Sequence, residues 1–82
     1  MKKQFLEFMF LWYKKQGDCC PKYKWDQFIV REFEEQERQC AIELTDKLIR
    51  AKYIQLVFKS VGECFEISQY GIEMIKKGNL EV

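Results

Sequence analysis

Apolar residues recur at helical spacing through the first sixteen positions of the chain. Stepping at about 100° per residue gives one stripe of Phe5, Phe8, Met9 and Trp12, with Leu6, Phe10 and Tyr13 beside it. The spacing predicts a helix over residues 3–16, which Gly17 ends. The apolar arc covers more than half of this helix, whereas a surface helix of a monomer needs only a narrower stripe.

The width of this arc favours association between two chains. Its flanks are Phe5, Phe8 and Trp12 on one side and Leu6, Phe10 and Tyr13 on the other. One flank can fill the core, and the pattern does not decide which. We expect a homodimer through the N-terminal helix, with Leu6, Phe10 and Tyr13 as its interface and Phe10 or Leu6 near the two-fold axis.

The middle of the chain carries two further apolar stretches at helical spacing. The first consists of Trp25, Phe28, Ile29 and Phe33, and the second of Ala41, Ile42, Leu44, Leu48 and Ile49. Between them, residues 34–39 contain nothing apolar. A single helix over 25–51 would span about 40 Å and could not return both stretches to one core. We therefore predict two helices, over 25–34 and 37–51.

An alternating pattern follows and predicts a β-hairpin over residues 53–67. Ile54, Leu56 and Phe58 alternate with Gln55 and Val57. Lys59 to Gly62 forms the turn, and Phe65 and Ile67 flank Glu66. A last helix over 69–77 is expected to begin at the N-cap Ser68 and to stop at Gly78. Gly71 stands where a capping box would place Glu or Gln, so we expect its Cα to lie against a neighbouring backbone or ring.

Length and charge place few limits on partners. Eighty-two residues make one domain, 1–82, and the net charge is only +1. The charge is uneven, because residues 1–24 carry six lysines against Glu7 and Asp18, a net +4. The remaining 8 basic and 11 acidic side chains give residues 25–82 a net −3. The positive end is therefore the N-terminal end.

The sequence contains no residue pattern typical of a metal site, a cofactor site or a catalytic site. The four cysteines have no zinc-site spacing and the chain has no histidine. We read them as reduced thiols of a cytosolic protein, with Cys40 and Cys64 as small core residues. No nucleophile lies beside a base, so we expect no enzyme activity, no cofactor and no metal.

The N-terminal apolar run does not predict a targeting segment. Glu7 interrupts the run, lysines follow it, and no small-residue cleavage site appears. It is also much shorter than the ~20 residues of a membrane span. We expect a cytoplasmic protein without a membrane segment.

The order of three helices, a hairpin and a further helix resembles the winged helix-turn-helix family. The stretch LIRAKYI, Leu48 to Ile54, is similar to the step from helix three into the first wing strand. The stretch ISQYG, Ile67 to Gly71, is similar to the step into the last helix. The resemblance implies an α+β fold with three helices, a two-stranded β-hairpin wing and a C-terminal helix. The chain departs from the family pattern in two places. Lys52 stands where glycine is common. The turn between helices two and three is acidic, with Glu32, Glu34, Glu35 and Glu37.

The resemblance also implies that helix three enters the major groove of double-stranded DNA. Its solvent side would carry Gln36, Gln39, Glu43, Asp46, Lys47 and Arg50, a face with no net charge. The expected DNA-binding residues are Gln36, Gln39, Lys47 and Arg50, with Lys24 and Lys59 on phosphates. The implied function is a transcriptional regulator acting as a homodimer, or a protein of a mobile element. The alternatives are a winged-helix module that binds a basic protein instead of DNA, and a structural monomer.

Overall fold

A computed structural model describes all 82 residues and has an α+β fold of four helices and one three-stranded antiparallel sheet. In chain order the elements are α1 (Lys2–Trp12), β1 (Cys19–Pro21), α2 (Lys22–Glu32), α3 (Glu35–Arg50), β2 (Ile54–Lys59), β3 (Gly62–Ile67) and α4 (Gln69–Lys77). The sheet order is β1-β3-β2. The predicted hairpin and the predicted order of the helices are confirmed. No helix is long and apolar enough to cross a membrane.

The first helix ends four residues earlier than its apolar spacing predicts. Tyr13 already has an extended backbone, with φ −117° and ψ 116°. The Asp18 carboxylate accepts hydrogen bonds from the backbone N–H groups of Lys14 and Lys15, at 2.8 and 3.0 Å. These hydrogen bonds lower the pKa of Asp18 because they favour its ionised form. The chain after Trp12 therefore turns around this carboxylate.

The helix break between residues 32 and 35 confirms the prediction of two separate helices. Phe33 is extended and buried, and the Glu34 backbone N–H donates to Glu37 Oε1 at 3.2 Å, as in a capping box. Arg38 donates to the carbonyl oxygens of Val30 and Phe33, near the end of α2. Part of the acidic turn therefore serves to start α3.

A third strand, β1, forms where the sequence indicated only a connector. Cys20 lies opposite Phe65 and Pro21 lies opposite Cys64. Three residues are too short to give an alternation that could be recognised, and Pro21 is tolerated because β1 is an edge strand. The other edge is β2, whose hairpin with β3 closes through Ser60 and Val61.

The core is an aromatic cluster that joins α1, α2 and β3. The Trp25 ring contacts the rings of Phe5, Phe8 and Phe65, with centroids 5.0 to 6.0 Å apart. Trp25 is only 1% exposed, and its Nε1–H donates to Thr45 Oγ1 at 3.0 Å. This indole links α2 to α3.

Two positions of α3 expected in the core lie outside it. The buried positions are Ala41, Leu44, Thr45 and Leu48, at the i, i+3, i+4, i+7 spacing of one helix face. Cys40 and Ile42 fall on the two sides of that face and are exposed. The hydroxyl of Thr45 is accommodated because it accepts from Trp25 and donates to the Ala41 carbonyl oxygen at 3.0 Å.

The start of α4 explains the glycine at position 71. Ser68 Oγ accepts from the Gly71 backbone N–H at 3.1 Å, which confirms Ser68 as the N-cap. A Cβ on Gly71 would collide with the Tyr53 carbonyl oxygen and lie 2.5 Å from Ile67 Cγ1. The close approach of two backbones therefore requires glycine here. Nearby Lys52 has φ 66°, the left-handed region that glycine favours.

Candidate nucleic-acid interface

The solvent side of α3 carries all four of its predicted DNA-binding residues. Gln36, Gln39, Lys47 and Arg50 are exposed, and so are Glu43 and Asp46 on the same side. Neither Lys47 nor Arg50 forms an ion pair within the chain. The two cations and the two carboxylates leave this face with no net charge.

Charge is distributed unevenly along α3. Its first turn contains Glu35 and Glu37, and its last turn contains Lys47 and Arg50. Each sign complements the helix dipole at its own end. A phosphate would therefore find its cations at the C-terminal end of α3, beside Lys52, and would be repelled from the acidic N-terminal end.

The two glutamines on this face differ in availability. Gln36 Nε2 donates to Glu34 Oε2 at 2.7 Å, so its amide is engaged at the acidic start of α3. Gln39 is exposed and its side chain makes no hydrogen bond within the chain. Gln39 is consequently the amide that is free to pair with a base edge.

Lys24 and Lys59 lie on elements other than α3. Lys24 is in the first turn of α2, where its Nζ lies 5.5 Å from the centre of the Tyr23 ring. Lys59 ends β2, and its Nζ lies 3.6 Å from Glu66 Oε2. Lys59 is exposed and Glu66 is half-buried, and a surface pair of this kind is worth about 0–1 kcal/mol, so a phosphate could displace the carboxylate.

The register of the hairpin shows which way Lys59 points. Ile54 and Leu56 face the helices, whereas Gln55, Val57 and Lys59 alternate onto the opposite face of the sheet. The Lys59–Glu66 pair spans the outward Val57–Cys64 pair between them. Sequence alternation could give this face but not the ion pair, because the partners are four register positions apart.

An apolar groove of about 350 Å³ lies between α2, α3 and the hairpin. Its apolar walls include Ile29, Ile42 and Leu56, and Asp26 and Asp46 also line it. Phe58 continues the inward side of β2 towards the hairpin tip and is 79% exposed. The groove was not predicted from the sequence, because Ile42 and Leu56 fit apolar patterns typical of core positions.

Tyr13 does not join the expected dimer surface. It is 2% exposed, and its hydroxyl donates to the Phe65 carbonyl oxygen at 2.8 Å. The reason is the early end of α1: Tyr13 leaves the helical wheel and turns into the core. Phe5 and Phe8 are the flank that fills the core, whereas Leu6 is half-buried and Phe10 exposed.

The cysteines are free, and no group of potential metal ligands forms. Cys20 and Cys64 are buried, whereas Cys40 is exposed rather than a core residue. Burial raises the pKa of Cys20 to about 12, because a thiolate is disfavoured away from water. The strand register places Cys20 opposite Phe65, so Cys20, not Cys40, belongs to the hydrophobic core.

Alkylation should separate these thiols. With excess iodoacetamide at pH 8, we expect Cys40 to be modified first and Cys20 and Cys64 to be protected until the protein unfolds. Peptide mass spectrometry over time reads each site, and Cys40→Ser should remove the fast phase. Modification of Cys20 at the rate of Cys40 in the native protein would contradict the burial described here.

No family model, curated protein or solved structure matches the chain. Its function is therefore inferred from the surfaces described above. These are the exposed side of α3, the apolar groove beside it, and the face of α1 that carries Phe10.

Proposed function

We propose that the protein is a small winged-helix protein that binds double-stranded DNA through the solvent side of α3 and regulates transcription. The observation that carries the proposal is that Gln39, Lys47 and Arg50 are exposed on one side of α3 without a partner in the chain. The left-handed Lys52 and the close approach at Gly71 support the winged-helix assignment. Both occur in the two stretches on which the resemblance rests.

The proposed contacts follow from side-chain chemistry. A major groove admits an α-helix, the Gln39 amide can pair with adenine, and Lys47 and Arg50 can bind guanine or phosphate. Lys24 and Lys59 are assigned to phosphates. Glu43 and Asp46 cancel the charge of the two cations on α3, so non-specific affinity should be weak, with a salt slope set by the few phosphates that the remaining cations neutralise.

Removing one of the α3 cations should weaken binding to every duplex. We expect Lys47→Ala or Arg50→Ala to reduce affinity for a random-sequence duplex and to flatten the salt slope by about one unit. Fluorescence anisotropy between ~50 and ~200 mM salt measures both quantities. Lys77→Ala is the matched control, because it removes the same charge from an exposed position on α4. No binding at ~50 mM salt, or an equal effect of the control, would refute the proposal.

A second candidate function is binding of a basic protein segment in the groove between α2, α3 and the hairpin. The observation that favours it is that the exposed side chains of Ile42 and Leu56 line this groove together with Asp26 and Asp46. Apolar side chains flanked by lysine or arginine would complement these walls. Leu56→Ser distinguishes the two functions, since Leu56 lines the groove and its replacement should reduce binding of such a segment while leaving the salt slope for DNA unchanged.

A further inference from the structure

The largest cavity lies on a different side of the molecule from the candidate DNA-binding residues. It is a groove of about 570 Å³ between α1 and the C-terminal end of α4, lined by Leu6, Phe10, Leu11 and Ile75. Phe10 is 56% exposed and Leu11 is 76% exposed. The proposed DNA contacts use none of these residues.

The groove has an apolar ridge along its α1 side. Phe10 and Leu11 form this ridge, and the Lys14 Nζ lies 5.1 Å from the centre of the Phe10 ring. Leu6 and Ile75 form the apolar part of the groove beside it. A two-fold interface uses the same patch on both chains, and this patch offers both a protruding apolar part and a recess.

The groove is lined by charges of both signs. Lys3, Glu7 and Lys76 line it. None of the three makes an ion pair within its own chain, although Lys3 and Glu7 are one helical turn apart. A lining with both signs can therefore match a second copy of itself, with the carboxylate of one chain facing an amine of the other.

We propose that this groove is the site where a second copy of the chain docks. The Phe10 and Leu11 ridge of each copy enters the groove between α1 and α4 of the other, and Glu7 pairs across the two-fold axis with Lys76 of the partner subunit. The interface replaces the expected set of Leu6, Phe10 and Tyr13 with Leu6, Phe10, Leu11 and Ile75. The proposal does not rest on DNA binding, because the apolar ridge is exposed whatever α3 binds.

The first test is the mass in solution. We expect light scattering with size-exclusion chromatography to give twice the 10.0 kDa chain mass at micromolar concentration, and Phe10→Glu to give the single-chain mass. Val30→Glu is the matched control, because Val30 is also 56% exposed but lies on α2. A wild-type monomer at millimolar concentration, or a Phe10→Glu dimer, would overturn the proposal.

A charge exchange tests the orientation and keeps the proposal testable if Phe10→Glu fails to fold. Glu7→Lys and Lys76→Glu should each raise the dissociation constant of the dimer at least about fivefold, because each brings like charges together across the axis. The double variant Glu7→Lys with Lys76→Glu should recover most of the loss. Single variants as tight as the wild type, or a double variant weaker than both, would exclude this docking geometry.

Discussion

Replacement of Trp25 by alanine is expected to remove a large part of the stability of the protein. The indole is 1% exposed, packs against three phenylalanine rings and donates a buried hydrogen bond to Thr45. Truncations of this kind cost about 3–5 kcal/mol. A domain of this length has a total free energy of unfolding of roughly 4–12 kcal/mol, at 0.05–0.15 kcal/mol per residue. Urea unfolding followed by far-UV circular dichroism measures the loss.

Tyr23→Ala provides the control for Trp25→Ala. Tyr23 is also an aromatic residue of α2, but it is exposed, and its ring packs against the Lys24 amine. A surface truncation should change the free energy of unfolding by about 0.5 kcal/mol or less. If Trp25→Ala cost no more than this control, the indole could not be the link between α1, α2 and α3.

The second large effect is expected from Gly71→Ala, and the test is whether this substitution raises or lowers the free energy of unfolding. In an unobstructed helix, alanine is more stable than glycine by roughly 0.5–1 kcal/mol. At position 71 the added methyl group would meet the Tyr53 carbonyl oxygen and the Ile67 side chain. A backbone carbonyl cannot rotate away, so we expect a net loss of at least about 2 kcal/mol, within the range of overpacked sites. The midpoint of thermal unfolding should fall by about 8 °C or more.

Glu73→Ala separates this collision from a general effect of alanine in α4. Glu73 is exposed, and its carboxylate accepts only a 3.4 Å hydrogen bond from Gln69. Its replacement should be nearly neutral in the same thermal scans. A Gly71→Ala variant as stable as wild type would mean that α4 can move away from Tyr53 and Ile67 without loss of stability.

The periodic parts of the chain could be read from the sequence because they follow from burial on one side of an element. The break at Glu34, the hairpin and the close approach at Gly71 all left such signals. The strand β1 did not, because three residues carry no recognisable period. The end of α1 also differed from prediction, since the hydrogen bonds that the Asp18 carboxylate accepts from the Lys14 and Lys15 backbone N–H groups, not the apolar spacing, set the path after Trp12.

The candidate sites were predictable to a smaller extent. Exposure of Gln39, Lys47 and Arg50 followed from the helical wheel of α3 and is confirmed. The pairing of Lys59 with Glu66 and the burial of Tyr13 depend on where long side chains meet after folding. Of the exposed ridge, the sequence predicted Phe10 but not Leu11, because Leu11 was not assigned to an apolar stripe of the helical wheel.

The position of β2 at the edge of the sheet has a consequence for the solubility of the chain. This strand, IQLVFK, has six residues, contains no proline and pairs only with β3. Alternate backbone N–H and C=O groups on its free side can therefore accept a strand from another molecule, which is how unprotected edges start aggregates. Gln55 and Lys59 are its only polar side chains. Replacing Gln55 or Lys59 by an apolar residue should therefore favour edge-to-edge association of the chain, apart from any effect on folding or ligand binding.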